Sequence, residues 1–250
     1  MKNLFSVFVF CWVACAANAQ QLPWELPAKA GAWDYPVKPG MEEWRQLKTN
    51  NEKVRVLQIP EDVLSSLSTE DLTDLCLRSP LLLDFLRFEN TNAGLDKLFN
   101  DFNGIRELYK RKDAARSLMR RYVEKIQLIP VIEDFDSELK KGSLVISVSA
   151  LEGLLSRFDE ERDSLKEILQ ALVAGYEEKV KYPAHFRGPG FQTNYYSRAQ
   201  VIAKMEPSFV ERLPLQEQNP ILYSGRIVNR QTDKIINEWS YQIISNSSNE

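Results

Sequence analysis

Apolar residues recur along most of the chain at steps of three and four, which is the spacing of one face of an α-helix. The longest stripe lies between Glu160 and Lys181, with charged residues on the opposite face, and comprises Leu165, Ile168, Leu169, Leu172, Val173, Tyr176 and Val180. Shorter stripes predict helices that include Ser143 to Arg157 and Ser197 to Met205. About nine helices with short connections predict an all-α fold, an irregular multi-helix array.

The remaining segments set the predicted domain organisation. Residues 20–40 combine Trp24, Trp33 and Tyr35 with four prolines, which predicts an extended arm lying on the body. Residues 41–245 form a single helical domain, and the polar residues 246–250 are predicted to fray. Ile221 to Val228 is the best candidate for a strand, so we expect at most a minor β element near 221–228.

The first nineteen residues have the pattern of a secretory signal peptide. Lys2 precedes an apolar run from Leu4 to Ala17, and Ala17-Asn18-Ala19 is a small-x-small cleavage site. We therefore expect export to the periplasm or the extracellular space, with no transmembrane span left after cleavage. Val13-Ala14-Cys15 leaves an alternative open, in which Cys15 is acylated and anchors the protein to a membrane surface.

Charge and composition exclude several classes of chemistry. The formal net charge of −3 argues against nucleic-acid binding, which needs a basic surface. After cleavage one cysteine, Cys76, and one histidine, His185, remain, so no metal site of the usual composition and no cofactor is predicted. We predict that Cys76 is a small buried residue, and the alternatives are a nucleophile or a partner in an intermolecular disulfide. No residue is singled out as catalytic, and the sequence favours a protein that is not an enzyme.

One segment gathers residue types that suit ligand binding. Residues 182–194 are predicted to be a loop, and the stretch 185–198 holds the only histidine, two arginines and four aromatics. The candidate ligand-binding residues are His185, Arg187, Phe191, Tyr195, Tyr196 and Arg198. The alternative is a structural loop whose aromatic rings fill the core.

Two other surfaces are candidates for partner binding. Lys110 to Lys112 and the helix carrying Arg116, Arg120 and Arg121 form a basic face that suits an acidic protein or an anionic polysaccharide. The arm's tryptophans suit stacking on sugar rings. The alternative for the basic face is an ordinary solvated helix face. The alternative for the tryptophans is that they clamp the arm to its own domain. The oligomeric state is not predicted.

Three stretches also resemble a known group of proteins: Tyr35 to Gly40, Ile59 to Leu77 and Leu95 to Leu108. They are similar to a family of exported proteins from Bacteroidetes-type bacteria that has no established activity. The resemblance implies an envelope or extracellular location in a Gram-negative bacterium, and it carries over no functional residue.

These observations lead to two functional hypotheses. The first is an exported, non-catalytic helical protein that binds a protein or polymer partner. The alternative is a carboxylate-based hydrolase acting on an extracellular polymer, which requires two acids to converge in a cleft.

Overall fold

The computed structural model describes residues 33–82, 91–215, 218 and 230–246, and this part of the chain contains helices and no strand. The all-α prediction is therefore confirmed; the candidate strand at 221–228 lies outside the described residues. The helices are α1 Glu42–Gln46, α2 Asn50–Val56, α3 Glu61–Ser66, α4 Thr69–Leu77, α5 Thr91–Asp101, α6 Asn103–Leu108, α7 Ala114–Ile126, a 3₁₀ helix at Ile129–Asp134, α8 Glu138–Leu155, α9 Arg162–Lys181, α10 Pro189–Met205, α11 Phe209–Arg212 and α12 Arg230–Ser245.

Helix α8 lies at the centre of the molecule. It packs against α7 and α10, while α9 packs against α10, α7 and α12. Every residue from Val148 to Leu155 is buried, so this part of α8 has no solvent face. That explains why the sequence there lacks the polar stripe of an ordinary surface helix. The longer helices α7 to α10 and α12 thus form a bundle, in which α12 packs on α9 and α10.

The shorter helices form a second layer against α7. Helix α4 packs on α6 and α7, and α5 packs on α6. Helix α4 begins as its capping residues predict, because the Ser68 hydroxyl accepts a hydrogen bond of 3.1 Å from the backbone N–H of Asp71. Burial of Leu72, Leu75 and Cys76 then fixes the inward face of α4.

The described end of the arm is held on this layer. The ring of Trp33 packs edge-on against Tyr35, with centroids 5.1 Å apart. Tyr35 is buried, and its hydroxyl donates a hydrogen bond of 2.9 Å to the carbonyl of Leu75. The hydrogen bond of Tyr35 therefore ties this end of the arm to α4, whereas Trp24 lies outside the described residues.

Two predicted boundaries are wrong. Helix α8 begins at Glu138 and not at Ser143, because the Ser137 side chain caps it by accepting from the N–H of Lys140. The loop predicted at 182–194 ends at Gly188, and residues 189–194 are helical. Gly188 has φ of +66°, and a proline follows at the first helical position, which is the favoured place for proline in a helix.

Candidate functional site

The six predicted ligand-binding residues lie in two separate places. His185 and Arg187 precede α10, whereas Phe191, Tyr195, Tyr196 and Arg198 lie on it. The Nε2 atom of His185 is 2.7 Å from Oε1 of Glu133, on the 3₁₀ helix, and Arg187 is exposed. The histidine thereby fastens the segment before α10 to the 3₁₀ helix, and the hydrogen bond between them lowers the pKa of the Glu133 carboxyl.

Three of the α10 residues share one face of that helix. Phe191, Tyr195 and Arg198 are spaced by four and three residues, while Tyr196 is 2% exposed and belongs to the core. The rings of Phe191 and Tyr195 meet Tyr176 of α9, with centroids 6.3 and 5.5 Å away. All three rings are half-buried and so present part of their area to solvent.

The neighbouring helix α12 extends this aromatic surface. Tyr241 is 45% exposed, and its hydroxyl donates a hydrogen bond of 2.9 Å to Oε1 of Glu177, next to Tyr176 on α9. We call Tyr176, Phe191, Tyr195 and Tyr241 the aromatic face. Partial burial and the hydrogen bond to Glu177 raise the pKa of Tyr241.

Arg198 lies beneath the aromatic face and is fully buried. Its guanidinium carbon is 4.3 Å from the ring centroid of Tyr176 and 5.2 Å from that of Tyr195, which is cation–π geometry. Its Nη1 donates a hydrogen bond of 2.7 Å to Oδ1 of Asn237, whose Nδ2 donates to Asp233 at 2.9 Å. Burial lowers the pKa of Arg198, although arginine remains charged throughout the physiological range.

A buried polar cluster joins four helices beside Arg198, and we define it as Tyr122, Glu152, Lys179 and Asn194. Lys179 and Glu152 are both fully buried, with Nζ 2.6 Å from Oε2. The other carboxylate oxygen of Glu152 accepts hydrogen bonds of 2.7 Å from the Tyr122 hydroxyl and from Nδ2 of Asn194. Three donors, one of which is the Lys179 cation, therefore compensate this carboxylate in the interior.

The cluster also fixes how the helices approach one another. Lys179 donates a second hydrogen bond of 2.8 Å to the carbonyl of Gly190, which ties α9 to the first turn of α10. Burial lowers the pKa of Lys179, while its attraction to Glu152 opposes that shift. Burial also raises the pKa of Tyr122, so the hydroxyl stays protonated and can donate to Glu152. The arrangement supports a structural role for this carboxylate.

Sequence reasoning missed Glu152 and Lys179. A signal was present for Glu152, because it is the one charge between Val148 and Leu155, a run that is otherwise apolar or small. Lys179 gives no such signal, since it sits among the charged residues that end α9. The pairing of the two, 27 residues apart, depends on the packing of both α8 and α9 against α7 and α10.

Cys76 and several residues of the basic face are engaged within the protein. The Cys76 thiol is fully buried, and burial raises its pKa, which disfavours the thiolate that a nucleophile needs. On the basic face, Arg121 pairs with Asp74 at 2.6 Å, and Arg120 pairs with Glu70. Arg111 donates to the carbonyls of Leu67 and Leu64, at the end of α3. Much of the basic face therefore holds α3, α4 and α7 together.

Within residues 33–82, 91–215 and 230–246, no group of three metal-ligating side chains comes together. Over the same ranges no helix combines the length and the apolar content needed to cross a bilayer. Comparisons with protein-family models, with curated proteins and with solved structures found no match to this chain.

Proposed function

We propose that the protein is an exported, non-catalytic helical protein that binds a protein or polysaccharide partner through its aromatic face. The observation that carries this proposal is the grouping of four partly exposed tyrosine and phenylalanine rings on three adjoining helices. Aromatic side chains contribute large contact areas and lose little rotamer freedom, which makes them effective in recognition.

The interior beneath the aromatic face keeps it rigid. Arg198 packs against two of the rings, and the contacts of Phe191 with Tyr176 and Tyr195 limit their rotation. A surface that is ordered before binding loses less conformational entropy on association. Rigid, partly exposed rings therefore favour a binding function. The alternative of a hydrolase needs a carboxylate that is free to react, whereas the buried carboxylate of Glu152 is paired with Lys179.

Export is part of the same proposal. The leader pattern at residues 1–19 and the resemblance to exported Bacteroidetes-type proteins support it. N-terminal sequencing and mass spectrometry of the protein from a Gram-negative host provide the test. We expect a chain starting at Gln20 in the periplasm or medium. A chain starting at an acylated Cys15 would indicate membrane anchoring, and retention of Met1 in the cytoplasm would refute export.

The binding proposal is tested by recovery of a partner from envelope fractions on the immobilised mature protein. Phe191→Ala and Tyr241→Ala are expected to reduce recovery of that partner strongly. Leu139→Ala is the matched control, because Leu139 is an apolar residue that is 64% exposed on α8 and is not part of the aromatic face. Equal recovery by all variants would refute the proposal. Protease and periodate treatment of the fraction then distinguish a protein from a polysaccharide.

A further inference from the structure

Arg198 is an unusual interior residue because three of its five N–H donors, on two nitrogens, are unused in the described chain. Among the residues that the structure describes, neither Nε nor Nη2 has a hydrogen-bond partner, and both atoms are buried. These two nitrogens form the side of the guanidinium that pairs with the two oxygens of a carboxylate through parallel hydrogen bonds. The Nη1 atom, on the other side, is held by Asn237. The open side of Arg198 is thus a buried pair of donor nitrogens.

In the part of the chain that the structure describes, the guanidinium of Arg198 has no direct ion pair, although the charges of Asp233 and Glu152 attract it. Lys179 and Glu152 neutralise each other at 2.6 Å. Within the described chain no carboxylate forms an ion pair with Arg198, and the contact with Asp233 runs indirectly through Asn237. A buried guanidinium with unused donors is costly, and an anion bound to those donors lowers that cost.

Acceptor groups next to Arg198 are also open. The Oδ1 atom of Asn194 has no hydrogen-bond partner in the described chain, although its Nδ2 donates to Glu152 and to the carbonyl of Leu172. Asn194 lies four residues before Arg198, hence on the same face of α10. A ligand held by Arg198 can therefore use a hydroxyl or amino hydrogen to reach Asn194.

We propose that Arg198 and Asn194 form a binding site for a small carboxylic acid that carries a hydroxyl or amino donor beside its carboxylate. The carboxylate pairs with Nε and Nη2 of Arg198, and the neighbouring donor bonds to Oδ1 of Asn194. The rings of Tyr176 and Tyr195 cover the guanidinium from the solvent side. This site is distinct from partner binding on the outer surface of the same rings, and either proposal can fail alone.

The first test uses the unaltered mature protein and needs no variant. Thermal unfolding is followed with glycolate, acetate, acetamide or sodium chloride, at equal ionic strength for the salts. We expect the melting temperature to rise with glycolate and less with acetate, because a ligand that binds only the folded state stabilises it. Acetamide has the shape of acetate without the charge and is expected to give no shift. Equal behaviour of glycolate and chloride would overturn the proposal.

The second test places the effect at Arg198. Arg198→Lys keeps the positive charge and loses the paired donors, so we expect glycolate affinity to fall about tenfold or more. Arg120→Lys, in an exposed ion pair, is the control and should bind glycolate normally. If Arg198→Lys does not fold, a crystal structure of the unaltered protein grown with glycolate decides. A planar carboxylate against Nε and Nη2 supports the proposal, and a water molecule in its place overturns it.

Discussion

Gly175 offers the sharpest test of the buried polar cluster. A Cβ atom added at this position on α9 would lie 1.8 Å from the hydroxyl oxygen of Tyr122 and 2.7 Å from its Cζ atom. Ordinary contacts of such an atom begin near 3.4 Å, so Gly175→Ala forces the Tyr122 ring away. The displacement breaks the 2.7 Å hydrogen bond from that hydroxyl to Glu152.

The size of the effect follows from three contributions. Overpacking of a core costs about 1–3 kcal/mol, and loss of a buried hydrogen bond to a charged group costs about 1.5–3 kcal/mol. The higher helix propensity of alanine offsets about 1 kcal/mol of this. We therefore expect Gly175→Ala to lower the free energy of unfolding by about 1.5–5 kcal/mol.

Urea denaturation monitored by circular dichroism measures this free energy. Gly142→Ala is the matched control, because an added Cβ at Gly142 of α8 meets nothing within 4 Å. This control is expected to leave stability unchanged or to raise it by up to about 1 kcal/mol. A Gly175→Ala variant within about 0.5 kcal/mol of the unaltered protein would refute the packing described for Tyr122.

Three further predictions concern titratable groups. Lys179→Met leaves Glu152 buried without its cation and should lower the free energy of unfolding, measured by urea denaturation, by about 3–5 kcal/mol. The double variant with Glu152→Gln should recover part of this loss. An equal loss in the single and double variants would contradict the buried ion pair. Burial raises the pKa of the Cys76 thiol, so a thiol reagent at pH 8 should modify the native protein far more slowly than the unfolded one, and equal rates would show that Cys76 is accessible. The hydrogen bond with His185 lowers the pKa of Glu133 in the folded state. This hydrogen bond therefore stabilises the fold at pH above the pKa of Glu133 in the unfolded chain, and the stabilisation is lost as the pH falls through the pKa of Glu133 in the folded protein. The stability difference between the unaltered protein and His185→Phe should therefore vanish in acid; a difference that persists there would contradict this origin.

The helices could be predicted where one face is apolar and the other charged. The predicted start of helix α9, Glu160, is within two residues of its actual start at Arg162. The prediction succeeds because the apolar stripe separates the two faces of this helix cleanly. Helix α8 was placed too late, since Glu138 to Gly142 carry charges that resemble a connector and its later residues are buried all round. The start of α10 was missed because glycine and proline usually indicate a loop, whereas here they form the turn and the first helical position.

The candidate site could be predicted only in part. The sequence indicated Phe191, Tyr195 and Arg198, and α10 places them on one face. It could not indicate that Tyr176 and Tyr241 join them, because those residues arrive on other helices. The pairing of Glu152 with Lys179 was equally hidden, since many acids and bases are available and tertiary packing alone decides which of them meet.

The most direct test of the interior described here is NMR detection of the Lys179 side-chain ammonium group. A fully buried Nζ that donates to Glu152 and Gly190 is shielded from water. We expect its hydrogens to exchange slowly enough to give a distinct signal at neutral pH, and we expect that signal to disappear in Lys179→Met. A mature protein in which every lysine ammonium exchanges rapidly with solvent would contradict the buried ion pair on which this account of the bundle depends.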